Sequence, residues 1–262
     1  MRPLNKAFAA AIMSIIMTLS STTPALATTI LTFTDVPEDN WAHSYISLSA
    51  SNGWITGYGD GRFGPNENVT YAALSQMLIK AFFPAQLEAV EVAEDDPWYK
   101  AACSVADDLG LYIGVDIRTQ HNIQEMVEQP VSRYEMAQIL SNVMRAAGAN
   151  LSPNLNVAAS NTADWASIPQ RYQGAVAATK ATGLIAGTDT HGTFAGDKLM
   201  SRAQAATIMV RLNELIQKGF PEIDAPVDTI EPLPTQPPAI TPPAETPAPN
   251  ENIVVAATRA AL

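Results

Sequence analysis

The sequence predicts a mainly α-helical protein, built from three helix–loop–helix repeats and followed by a disordered, proline-rich tail. Three observations support this. Residues 70–79, 132–141 and 201–210 are one motif written three times. Each copy opens on a hydroxyl residue able to cap a helix (Thr70, Ser132, Ser201), and Glu135 and Gln204, three residues on, complete a capping box in the last two. Apolar residues then recur at fixed offsets: Leu74, Met77, Leu78 and Ala81; Met136, Ile139, Leu140 and Val143; Ala205, Ile208, Met209 and Leu212. That is the stripe of a core-facing helix.

The two ends are different material. Arg2 and Lys6 precede a short apolar run at 7–19, and Ala25-Leu26-Ala27 reads as a small-x-small cleavage site. Residues 1–27 are therefore assigned as an export signal, with no membrane span left after cleavage. Removing Arg2 and Lys6 takes the formal charge from −11 to −13. An acidic body lacks the basic footprint of a nucleic-acid binder. Cys103 is the single cysteine and falls on an apolar helix side, a small core residue without a disulfide partner. From Pro221 to Pro249 the chain holds ten of its nineteen prolines, which suits an extended linker. The tail is assigned to 218–262, and its composition does not specify what it contacts.

Between the ends the elements repeat in order. In the first unit, Asp35 to Asn40 is turn-rich and acidic, as befits a helix start. Trp41, Tyr45 and Leu48 then share a helical face, and Gly53 stops the helix. A glycine-punctuated loop follows, Trp54-Ile55-Thr56-Gly57-Tyr58-Gly59-Asp60-Gly61, before the Thr70 cap. In the second unit Trp98 to Gly110 keeps the spacing of Trp41 to Gly53; Trp98, Ala102 and Val105 form the face, and the loop beyond Gly114 is longer. In the third, Ala175 and Val176 face inward, Gly183 stops the helix, and Gly187 and Gly192 punctuate the loop. Residues 84–93 and 148–162 read as connectors. No unit can bury its stripe alone; three can share a core.

The run Phe33-Thr34-Asp35-Val36-Pro37, Trp41, Gly53-Trp54-Ile55-Thr56-Gly57-Tyr58, Asp60-Gly61-Arg62-Phe63-Gly64-Pro65 and Val69-Thr70 resembles the S-layer homology repeat. So do Gly183-Leu184-Ile185-Ala186-Gly187 with Ser201-Arg202-Ala203-Gln204 and, less closely, Trp98-Tyr99 with Ser132-Arg133-Tyr134-Glu135. The resemblance spans about residues 33–215, with repeats at 28–83, 84–147 and 148–217. It implies a pseudo-threefold domain with the first helices in a central three-helix bundle. It also implies a secreted protein of the cell wall or cell surface. Such a protein binds an anionic, often pyruvylated, wall polysaccharide or peptidoglycan non-covalently in grooves between repeats.

The residues support such a site chemically. Arg133 and Arg202 sit in the first turn of a helix, where the macrodipole disfavours cations but an arginine can join free N–H groups in holding a carboxylate. An internal ion pair with Asp35, Asp96 or Asp164 accounts for them equally. Tyr71 takes the same position in the first unit and brings no charge, so the first unit is expected to hold the weakest anion site. Trp41, Trp54, Trp98 and Tyr58 are aromatic candidates for sugar stacking, although Trp41 and Trp98 also fit a core face. Asp35, Gly57, Gly114, Asp164 and Gly187 complete the candidate ligand-binding set implied by the resemblance. His43, His121 and His191 lack metal spacing, the 60–68 turn lacks the ligands of a calcium loop, and no cofactor or catalytic motif is present. The expected protein is thus not an enzyme. The other readings are the targeting part of a wall hydrolase and a structural envelope protein.

Overall fold

The computed structural model describes residues 32–115 and 123–221. The assigned export signal, His121 and nearly all of the proline-rich tail lie outside the described residues.

The described residues are helical. The helices are α1 (His43–Ser51), α2 (Tyr71–Phe82), α3 (Pro84–Glu88), α4 (Lys100–Asp108), α5 (Ile123–Met126), α6 (Arg133–Ala146), α7 (Leu155–Ser160), α8 (Gln170–Ala181) and α9 (Arg202–Lys218), with a 3-10 turn at Trp165–Ser167. The long second helix of each unit begins at its expected cap. Thr70 accepts from the Ala73 amide, and Ser132 and Ser201 each close a full capping box. A cap of this kind contributes about 1 kcal/mol. The stripes are buried as their spacing requires: Met136, Leu140 and Val143 are all inaccessible. Truncating one such residue, as in Leu140→Ala, costs about 2–5 kcal/mol. The first helices stop at Gly53, Gly110 and Gly183, each with a positive φ that a side chain would resist.

Three extended segments just before the caps meet at one point. The Val69 amide donates to the Met200 carbonyl (2.8 Å), Met200 to Val131 (2.9 Å), and Val131 back to Val69 (2.9 Å). This closed triangle of hydrogen bonds, between fully buried residues, marks the threefold axis. Helices then pair cyclically between units: α2 packs on α4, α6 on α8, and α9 returns to α1. The principal pairs thus join the second helix of one unit to the first helix of the next rather than joining first helices to one another.

The core face expected of α1 needs correction. On α1 the core face is Ala42, Ile46, Ser49 and Ala50, whereas Leu48 is 47% exposed and Trp41 and Tyr45 are half-buried. Small residues win that face because α9 lies close; the buried Ser49 hydroxyl donates to the Ala206 carbonyl. The connectors carry short helices: α3, begun by Pro84 at its first turn, and α7, capped by Asn154.

Candidate functional site

Each second helix is fastened to the loop of the following unit by the first two amides after its cap. Tyr71 and Ala72 donate to Gln129 and Val127; Arg133 and Tyr134 to Lys198 and Gly196; Arg202 and Ala203 to Glu67 and Pro65. The third amide goes to the cap side chain. The free N–H groups expected to meet an anion are therefore already paired within the protein.

The residue after the cap extends the same fastening. Arg133 is 2% exposed, and its Nε and Nη2 donate to the carbonyls of Phe194 (2.7 Å) and Ala186 (2.8 Å), with the guanidinium over the Phe194 ring at 4.9 Å. Arg202 repeats this on the first unit's loop. Its Nε and Nη2 donate to Phe63 (2.8 Å) and Thr56 (3.1 Å), and it lies over the Tyr58 and Phe63 rings at 5.0 and 4.6 Å. Burial pushes the Arg133 guanidinium down to about 10, partly offset by the nearby Asp164 carboxylate, and pushes Arg202 down as well. The internal partners of both arginines are main-chain carbonyls, joined at Arg133 by the Met200 sulfur, not the carboxylates expected for an ion pair.

The cyclic pairing reassigns the cations. A loop receives its arginine from the preceding unit, so Arg202 serves the first unit's loop and Arg133 the third's. The loop that receives no arginine from a helix cap is the second, which receives Tyr71, not the first as the linear sequence suggests. Tyr71 packs edge-on against Tyr112 at 6.1 Å. Asn142 supplies the missing donor: its Nδ2 bonds the carbonyls of Leu111 (2.9 Å) and Ile113 (2.8 Å), and Ile113 is the counterpart of Thr56 and Ala186. Tyr134 then stacks on Tyr172, with ring centroids 5.2 Å apart and planes 1° from parallel. Its counterparts after the other caps are the buried Ala72 and Ala203, which carry no ring.

Asp35 and Asp164 are clamps. Asp35 accepts the amides of Phe63 and Gly64 (2.8 Å each), and Asp164 those of Phe194 (2.7 Å) and Ala195 (2.9 Å). Gly57 and Gly187 are sites of close approach. A Cβ on Gly57 would lie 2.5 Å from both the Arg62 carbonyl and the Phe33 ring, and one on Gly187 2.7 Å from the Gly192 Cα. Gly114 has a φ of +79° and abuts Gln138.

A cavity of about 520 Å³ opens beside Arg202. One wall is the first unit's loop from Trp54 to Tyr58. A second is the outer face of α2, with Ala73, Gln76 and Lys80, and the third comes from the second unit, with Trp98, Tyr99 and Glu128. The structure thus brings Gly57, Tyr58, Trp98 and Arg202 together at one cavity. Arg133, Asp164, Gly187 and Gly114 lie at the other joints, Trp41 packs on the core, and Asp35 holds the loop from behind. Trp98 is 40% exposed and meets Tyr99 edge-on at 5.5 Å, so the core reading of Trp98 is replaced by a place on the cavity wall. The Tyr58 hydroxyl donates to Glu67 Oε2 at 2.6 Å; burial first, then Arg202 and Glu67, set its phenol at about 12, so it stays protonated. Gln76, Lys80 and Glu128 were missed. Gln76 and Lys80 could have been found on α2, as residues at i and i+4 opposite its apolar stripe.

Residues 32–74 and 161–206 match the sequence profile of the S-layer homology domain. These segments fall in the first and third units and include the loops that receive an arginine. A cell surface protein of Thermoanaerobacter kivui is 31% identical over 85 residues, 32% of this chain. The chain spans about 10% of that relative's length. These likenesses support a role in surface or cell-wall anchoring, by a protein whose described residues include no helix long and apolar enough to cross a membrane.

Proposed function

We propose that the chain is an exported, non-catalytic anchoring protein. It holds an anionic wall polysaccharide, pyruvylated or otherwise acidic, through the cavity beside Arg202. The middle unit, residues 84–147, acts as a third, diverged S-layer homology repeat, which supplies Trp98 and Tyr99 to that cavity and closes the ring. The observation behind this reading is the convergence of two cations, Arg202 and Lys80, with four aromatic side chains, Trp54, Tyr58, Trp98 and Tyr99, on one cavity. Aromatic faces take the apolar face of a sugar ring, and cations in a partly desolvated cleft select for acid groups. The overall charge of −11 makes general attraction to polyanions unfavourable, so recognition must be local.

The test is sedimentation of the purified protein with cell walls before and after extraction of the secondary polysaccharide. Binding that is lost on extraction supports the polysaccharide as ligand. Binding that persists moves the ligand to peptidoglycan, and no binding to either preparation overturns the anchoring role.

A further inference from the structure

We propose that Lys80, rather than Arg202, makes the direct contact with the ligand's acid group, and that Arg202 is a positioning residue. The inference rests on the polysaccharide reading above. It follows from comparing the same place in two repeats. Lys80 stands ten residues beyond Thr70, as Asn142 stands ten beyond Ser132. In the second unit Asn142 turns inward and holds the carbonyls of Leu111 and Ile113. The counterpart of the Ile113 carbonyl in the first unit is that of Thr56, which Arg202 already holds at 3.1 Å. Lys80 is therefore released from clamping. It lines the cavity and makes no hydrogen bond or ion pair among the described residues.

Arg202 is placed otherwise. It is 7% exposed, two of its nitrogens hold main-chain oxygens, and its plane lies over two aromatic rings. Its main effect is to fix the loop that presents Tyr58. A lysine ammonium is a compact point charge with three donors on a mobile stem, suited to an acid group whose exact position varies along a polymer. The acid group is thereby set against the outer face of α2, and the sugar ring against the Trp98 and Tyr58 side.

Two probes read this out by calorimetry: a 4,6-O-pyruvylated methyl hexopyranoside and the same glycoside without the pyruvyl group. In Lys80→Gln, affinity for the acidic probe falls about tenfold or more, affinity for the neutral one is unchanged, and the melting temperature stays that of the wild type. Lys80→Arg restores the acidic probe. Arg202→Met lowers the melting temperature and weakens both probes alike. Wild-type affinity of Lys80→Gln for the acidic probe overturns the assignment while leaving the polysaccharide reading intact. Failure of the wild type to bind either probe overturns the assignment and that reading together.

Discussion

Asn142 is the residue on which the equivalence of the three joints can be measured. If it replaces the arginine that Tyr71 does not supply, Asn142→Ala removes two neutral hydrogen bonds to loop carbonyls, at 2.9 and 2.8 Å, along with the two longer bonds its Oδ1 accepts from Gln138 and Arg145 on its own helix, which add little. Each contributes about 1 kcal/mol net. The site is half-buried and water can reach the Ile113 oxygen, so the expected loss is about 1–2 kcal/mol. For a domain of this size that lowers the melting temperature by about 2–8 °C. The diagnostic step is the second substitution. Tyr71→Arg places a guanidinium where Arg133 and Arg202 stand in their own joints, and a donor there reaches the Ile113 carbonyl. In the wild type that carbonyl is already held by Asn142. In Asn142→Ala it is free, so the arginine should recover about 1 kcal/mol more there than in the wild type. Urea unfolding followed by circular dichroism on the four proteins gives the coupling directly. A coupling energy within about 0.5 kcal/mol of zero, or an Asn142→Ala variant as stable as the wild type, would refute the reasoning.

Removing the Asp35 or Asp164 clamp strips two charge-assisted hydrogen bonds from loop amides, so Asp35→Ala and Asp164→Ala should each cost about 2–5 kcal/mol in urea unfolding. A loss below about 1 kcal/mol for both would show that the amides find other partners. Stability should fall as pH rises above about 10. Burial pushes the Tyr58 phenol up to about 12 and the Tyr71 and Tyr112 phenols further up, so above 10 the unfolded chain has lost protons that the folded chain keeps. Arg133, pushed down to about 10, acts in the opposite direction, as do Arg202 and Lys180, which burial also pushes down, while the raised Tyr134 phenol and Cys103 thiol add to the fall. Melting temperatures that stay level or rise between pH 9 and 11 would contradict this balance. Tyr71→Phe removes a buried hydroxyl that makes no well-formed hydrogen bond and lies near the Glu135 carboxylate, so it should leave stability at neutral pH unchanged or raised and should flatten the alkaline fall.

Much of the fold was legible because it depends on local chemistry. The Thr70, Ser132 and Ser201 caps, the stripes behind them and the Gly53, Gly110 and Gly183 stops are short-range features, and all are present. The core face of α1 was misread because large apolar residues were weighed above small ones. Close packing against α9 instead selected Ala42, Ser49 and Ala50. The candidate site was legible only by residue type. Arg202, Tyr58 and Gly57 were singled out, yet their association crosses about 140 residues and appears only when α9 closes onto the first unit. Reading each repeat by itself assigned Tyr71 to the first unit's loop. The chain in fact hands each post-cap side chain to the next unit. Lys80 escaped notice because a lysine on the outer face of a helix is ordinary until its neighbours Trp98 and Tyr99 arrive from another repeat.

The four tryptophans offer the most direct test of where the ligand binds. Trp54 and Trp98 line the cavity beside Arg202; Trp41 and Trp165 pack elsewhere against the core. Indole N–H resonances of ¹⁵N-labelled protein, assigned by single Trp→Phe substitutions, can be followed while wall polysaccharide released in soluble form is added. Binding in this cavity shifts the Trp54 and Trp98 signals together and saturably, with Trp41 and Trp165 unmoved. Shifts confined to Trp41 or Trp165, or no shift at saturating polysaccharide, would contradict it.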